Sequence, residues 1–226
     1  MRNLIYVPII HSSADLGSMS KALNSRGVAE FGEEFWQNHI HTINGFWDAI
    51  AYYFETIDLY IEGTKIYQDG MVTDGVIATK IIEESIKSGS KNYEIVSKLI
   101  SRGAIIVQTE DLNLVKKEYE SLQAITQTKS TLKKIVKLIV YKMTKGKLLK
   151  KRDKYIAKRI SETLGEDETG IIFIGAYHKV KSHLPKDIHV IELKETSKVR
   201  EYHKLLPLHY RYKDRFTELA QYLVKK

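Results

Sequence analysis

Three stretches of this chain place a titratable side chain directly after an apolar run. "NLIYVPII" is followed by His11, "IDLYI" by Glu62, and "GIIFIGAYH" runs through Gly175 to His178. A fourth run, "AIIVQTED", ends in Asp111, with Glu110 beside it. If each run is a buried strand of an open α/β sheet, their carboxyl ends face one crevice, where such folds bind ligands. Two neutral imidazoles and a carboxylate are a ligand set for zinc, manganese or a similar divalent ion, which lowers the pKa of bound water and polarises a carbonyl. Without a metal the same groups can do general acid–base work. The expectation is a pocket with His11, Glu62 and His178 as metal ligands, Glu62 and His178 also serving catalysis. The competing reading makes each histidine a hydrogen-bonded structural residue and Gly175 a turn former.

The elements that must position these residues follow from hydrophobic periodicity. "NLIYVPII" is a β-branched and aromatic strand in which Pro8 is tolerable only near an end or at an edge. "HSSADLGSMSKAL" reads as a loop leading to a helix that starts near Ser18 or Ser20. Phe31, Phe35, Ile43, Phe46, Trp47, Ile50 and Phe54 recur at helical spacing, predicting one long amphipathic helix or two broken near Gly45. Ile57 to Ile61 is predicted as a second strand, "TDGVIATKIIEESIKSG" and "NYEIVSKLISRG" as helices closed by glycine, and "AIIVQTED" as a third strand. A helix follows in "LNLVKKEYESLQAI". "STLKKIVKLIVYKM" predicts a basic amphipathic helix with Leu132, Ile135, Val136, Ile139, Val140 and Met143 on one stripe, broken at "TKGK" before a further helix ending at Gly165. "ETGIIFIG" and "IHVIEL" are the fourth and fifth strands, and the tail is a Pro-interrupted helical segment. The alternation predicts an α/β fold with a mostly parallel central sheet flanked by helices. One domain over 1–226 is expected, with 129–150 a basic helical insertion or lid.

With 43% hydrophobic and 28% charged residues the 226-residue chain has the balance of a globular protein. It has no cysteine, which excludes disulfides and thiolate metal sites and suits a reducing interior. The first residues lack a signal-peptide core, so a cytoplasmic location is expected. The net charge of +8 is unevenly spread: Lys129 to Arg159 contain thirteen Lys and Arg against Asp153 alone, a local +12 that leaves −4 for the remainder. Any contact with nucleic acid or an anionic membrane belongs to 129–151. Base stacking has only Tyr141 to use there, a membrane surface could take the apolar stripe, and a third reading packs the stripe inward with lysines in solvent.

The phosphate-binding, hydrolase-elbow and zinc-protease signatures GxxxxGK[ST], GxGxxG, GxSxG and HExxH do not occur. His39 and His41 are two apart, about 200° on a helix, and read as structural. In "IYQDG", Tyr67 and Asp69 lie in a Gly-terminated loop that is either a turn or a substrate-binding pocket rim, Asp111 being the third candidate for substrate contact.

Four fragments together resemble the superfamily of TraB and pheromone-shutdown proteins, Tiki proteases, ChaN haem-binding proteins and erythromycin esterases, in an uncharacterised microbial branch. "PIIH" matches its first G-x-x-H with Pro8 in place of glycine, and "LYIEG" its strand ending in Glu62. "KRDKYIAKRI" matches its Arg-Asp helix start through Arg152 and Asp153, and "IGAYH" its second G-x-x-H. The resemblance implies an α/β fold with His and Glu at a shared pocket and, in some branches, metal-dependent hydrolysis. Arg152 then orients a substrate or carboxylate bidentately and joins the catalytic set. A hydrolase of a small-molecule or peptide substrate is thus expected, with a non-catalytic ligand-binding or regulatory protein as the alternative.

Overall fold

The computed structural model describes residues 1–10, 20–128 and 130–226. Its sheet has five parallel strands in the order β3-β2-β4-β1-β5: β1 (Arg2–Ile9), β2 (Lys65–Gln68), β3 (Ile105–Val107), β4 (Thr169–Gly175) and β5 (Ile188–Glu192). Around it lie α1 (Ser20–Phe31), α2 (Glu33–Thr56), α3 (Gly75–Lys87), α4 (Lys91–Ser101), α5 (Leu112–Thr126), α6 (Thr131–Thr163), α7 (Thr196–Leu205) and α8 (Lys213–Val224). The expected α/β architecture is what the chain adopts.

The central strands β1 and β4 are apolar on both sides because both faces are covered, as parallel sheets require. Ile5, Val7 and Ile9 of β1 and Ile171 and Phe173 of β4 join one core with α2, α3, α4, α7 and α8. Leu4, Tyr6, Ile172 and Ile174 point the other way, into a second core closed by Ile156, Ala157 and Ile160 of α6. Strand alternation at period two thus divides the apolar residues between two faces. Pro8 sits in a central strand but costs no ladder bond. The Tyr6 carbonyl accepts from Leu193 toward β5 at 2.9 Å, and Pro8, two residues on, faces the same side beyond the last β1–β5 pair, Tyr6 with Glu192.

Three boundaries differ from the sequence expectation. The second strand is Lys65–Gln68, and Ile57 to Ile61 form no strand: α2 runs to Thr56, and Leu59 and Ile61 anchor the following loop in the first core while Tyr60 stays exposed. The aromatic helix breaks at Gly32, whose φ is 83°, and passes unbroken through Gly45. A Cβ at Gly45 would lie 2.7 Å from Val224, so that glycine admits α8 and ends nothing. The basic helix does not break at "TKGK" either. α6 is one helix of 33 residues, about 50 Å long at 1.5 Å per residue, and a Cβ at Gly146 within it would touch nothing among the described residues.

Candidate metal centre

The carboxyl ends of β2, β3 and β4 are adjacent in the sheet, and the loops leaving them are tied together by backbone bonds. Asp69, just after β2, donates its N–H to the Phe173 carbonyl of β4 at 2.8 Å. The buried Met71 carbonyl accepts from the N–H groups of Thr109 and Glu110 at 2.8 and 2.9 Å, fixing the end of β3 beside that of β2. Beyond β4 the chain turns at once, the His178 N–H donating to the Gly175 carbonyl at 2.9 Å. Arg200 of α7 clamps this turn from outside, donating from Nε and Nη2 to the Ala176 carbonyl.

These turns bring Asp69, Glu110 and His178 together with Arg152 and Asp153 of α6. One potential ligand atom from each of Asp69, Glu110 and His178 lies within 4.8 Å of the others, and the group is almost wholly buried. The Arg152 guanidinium donates to Glu110 through Nε at 2.7 Å and also through Nη2, to Asp69 Oδ1 through Nη2 at 2.9 Å, and to Glu118 of α5 through Nη1. Asp69 Oδ2 also accepts the Gly175 N–H at 3.0 Å.

His178 is oriented by Asp153. Its Nδ1 lies 2.7 Å from Asp153 Oδ1, whose other oxygen accepts the Lys179 N–H at 3.1 Å. With Nδ1 donating to that carboxylate, Nε2 of the neutral ring carries the lone pair, and it faces Asp69 Oδ2 across 3.6 Å. That gap is too long for a hydrogen bond. Two ligands each about 2.1 Å from one tetrahedral ion lie about 3.4 Å apart, so the spacing suits two donors sharing a cation. A carboxylate behind a ligating imidazole is the usual support for such a ligand.

The electrostatics also favour a cation. Asp69, Glu110 and Glu118 share the Arg152 guanidinium while Asp153 faces the His178 ring, so among the described residues carboxylates outnumber the guanidinium at this cluster. Burial raises the Glu110 carboxyl above its ordinary range despite the Arg152 hydrogen bond. Burial alone would lower the His178 imidazole, but Asp69 and the Asp153 hydrogen bond outweigh it and the net shift is upward. The Arg152 guanidinium loses to burial and gains more from Glu110, Asp69 and Glu118, so it stays charged. The buried Tyr6 hydroxyl is raised by burial, then by the charges of Asp153 and Asp69. It has no hydrogen-bond partner among the described residues and is a neutral donor on the face of β1 toward α6.

Of the residues singled out from sequence, Arg152, His178 and Asp69 meet here. Glu62 does not: it is exposed, precedes β2 while Asp69 follows it, and its carboxylate accepts from Tyr60 at 2.6 Å. The mistake came from ending the strand at Ile61, which put Glu62 at the wrong end. Tyr67 is no pocket rim, since its ring lies in the second core with its hydroxyl 2.8 Å from Thr163. Asp111 caps α5, accepting from the Leu114 N–H at 3.0 Å, and its neighbour Glu110 is the carboxylate turned inward. His11 lies outside the described residues. Sequence reasoning missed Glu118 and Tyr6, and no local pattern marks either. His39 is structural, buried with Nδ1 2.8 Å from the Tyr202 hydroxyl.

No protein-family model, curated protein or solved structure matches the chain. Among the described residues no helix is long and apolar enough to cross a membrane.

Proposed function

We propose that the chain is a metal-dependent hydrolase in which Asp69, Glu110 and His178 hold a divalent cation of the zinc or manganese class. The carrying observation is the convergence of their ligand atoms, within 4.8 Å, at the carboxyl ends of three adjacent parallel strands. A cation bound there would supply Lewis acidity and a water of lowered pKa. Asp153 holds the His178 ring with Nε2 available, and Arg152 fixes the two carboxylates and limits their repulsion. The Tyr6 hydroxyl, held protonated, can donate to a bound oxygen. Support also comes from the resemblance to the TraB, Tiki, ChaN and erythromycin esterase superfamily, whose Arg-Asp and second G-x-x-H stretches are the ones supplying Arg152, Asp153, Gly175 and His178. The substrate class, a small molecule or peptide, is part of this proposal.

The test is metal analysis by equilibrium dialysis on protein without an affinity tag, followed by ester, amide and phosphate substrate panels. One ion per chain is expected, lost in Asp69→Asn and His178→Ala. Asp153→Asn, which leaves all three ligands in place, should weaken binding about 10–100-fold. A wild-type protein that takes up no divalent ion refutes the metal centre. A second reading, a ligand-binding protein without turnover, is favoured by the closure of the cluster: Glu110 is fully buried and Arg152 and His178 nearly so. Stoichiometric metal with no hydrolysis on any panel would select it.

A further inference from the structure

The first twenty residues of α6 carry an apolar stripe that the described residues leave largely open to solvent. Leu132, Ile135, Val136, Ile139, Val140 and Met143 are each 48–78% exposed. At 100° per residue they cover an arc of about 140° and run about 17 Å along the axis. The residues of α6 that reach α5 lie on the opposite side of the helix. Lys137 donates to the Ala124 carbonyl at 3.2 Å, Tyr141 to Glu118 at 3.5 Å, and Arg152 also binds Glu118. The stripe therefore points away from α5, the helix that its other side contacts, against the reading that packs it inward.

The surrounding charge says what can cover it. Residues 129–151 hold nine lysines and no carboxylate. Lys142 and Lys147 border the stripe and Lys150 ends it. These three, with Lys145 and Lys151, are exposed and have no ion-pair partner among the described residues. A second copy would bring two such cationic faces within a Debye length of each other. Nucleic acid would have to lay phosphates along an apolar ridge, and Tyr141, the segment's one aromatic, is turned toward α5. An anionic bilayer satisfies both features at once, taking the aliphatic stripe into the headgroup–acyl boundary while lysines on either side meet lipid phosphates.

We propose that the N-terminal part of α6 is a docking face for an anionic lipid surface, lying in the interface plane without crossing the membrane. The reading is independent of the metal centre.

The probe is sedimentation with vesicles of phosphatidylcholine alone or mixed with phosphatidylglycerol, at low and high salt. Because the chain has no cysteine, Met143→Cys also accepts a single polarity-sensitive fluorophore. The expected results are binding to the anionic vesicles only, loss at high salt, and a blue shift of the dye. Replacing Lys142 and Lys147 by alanine should lower partitioning about fivefold per lysine. Ile139→Asp should lower it at least about tenfold with an unchanged circular dichroism spectrum, since Ile139 supports no core. Absence of binding to anionic vesicles at low salt overturns the proposal, as does equal binding to neutral ones. It is also overturned if the protein instead binds duplex DNA, or forms a dimer that Ile139→Asp dissociates.

Discussion

Replacing Arg152 by methionine keeps the aliphatic stem and removes the guanidinium that Asp69, Glu110 and Glu118 share. The lost contacts are the paired bonds to Glu110, the 2.9 Å bond to Asp69 and the contact with Glu118. Glu110 has no exposed surface, so water cannot replace the guanidinium there. Breaking a buried pair by removing one partner costs about 3–5 kcal/mol, which for a chain of this size corresponds to a fall of about 6–20 °C in Tm. The sign of the pH dependence follows from Glu110. Its carboxyl is already raised by burial and is released from the opposing Arg152 bond in the variant, so it rises further. A raised folded-state pKa contributes stability at low pH that is lost as pH rises through it, so the variant should be least impaired in acid and most impaired at pH 8. Thermal unfolding of metal-free protein at pH 5 and pH 8, followed by far-UV circular dichroism, measures both quantities. A loss under about 1 kcal/mol at pH 8, or a deficit that grows in acid, would refute the ion-pair geometry.

Two further outcomes test the scaffold. His39 is lowered to about 4, by burial and then by His203. A depressed folded-state pKa gives stability that is present above the ordinary value and lost as pH falls toward 4, so wild type should lose about 2–3 kcal/mol between pH 7 and pH 4.5 from this group. Denaturant titrations of His39→Gln should show a correspondingly flatter profile, and the imidazole should titrate below pH 5 by NMR. At Gly103, φ is 96° and a Cβ would lie 3.1 Å from the Glu62 backbone. Gly103→Ala should therefore cost about 1–3 kcal/mol, and a chemical denaturation midpoint equal to wild type would contradict the turn.

The sheet was legible because β1 and β4 are buried on both faces and read as uninterrupted apolar runs. Lys65–Gln68 was not, since four residues opening with a lysine show no periodicity, whereas "IDLYI" has a strand's composition but sits in a loop. That single boundary decided the carboxylates: once β2 moves to Lys65–Gln68, its carboxyl end delivers Asp69. Glu110 and Asp111 could not be separated from composition, because whether a carboxylate caps a helix or turns inward depends on the first turn of α5. Arg152 was legible only through the Arg-Asp resemblance, because the partners that fix its role, Glu110 and Glu118, lie 42 and 34 residues away. The six apolar residues of α6 were correctly placed on one stripe, but amphipathicity specifies a face and not what covers it.

The order of the strands has a consequence for synthesis on the ribosome. β1 pairs with β4 and β5, whose partner residues emerge 166 and 186 positions later. At about 5–20 residues per second the nascent "LIYVPII" segment must wait roughly 8–30 s for its partners. During that interval it is an unpaired, strongly apolar stretch of the kind that chaperones hold, and the two central strands can come together only after the whole of the intervening chain, α1 through α6, has been made.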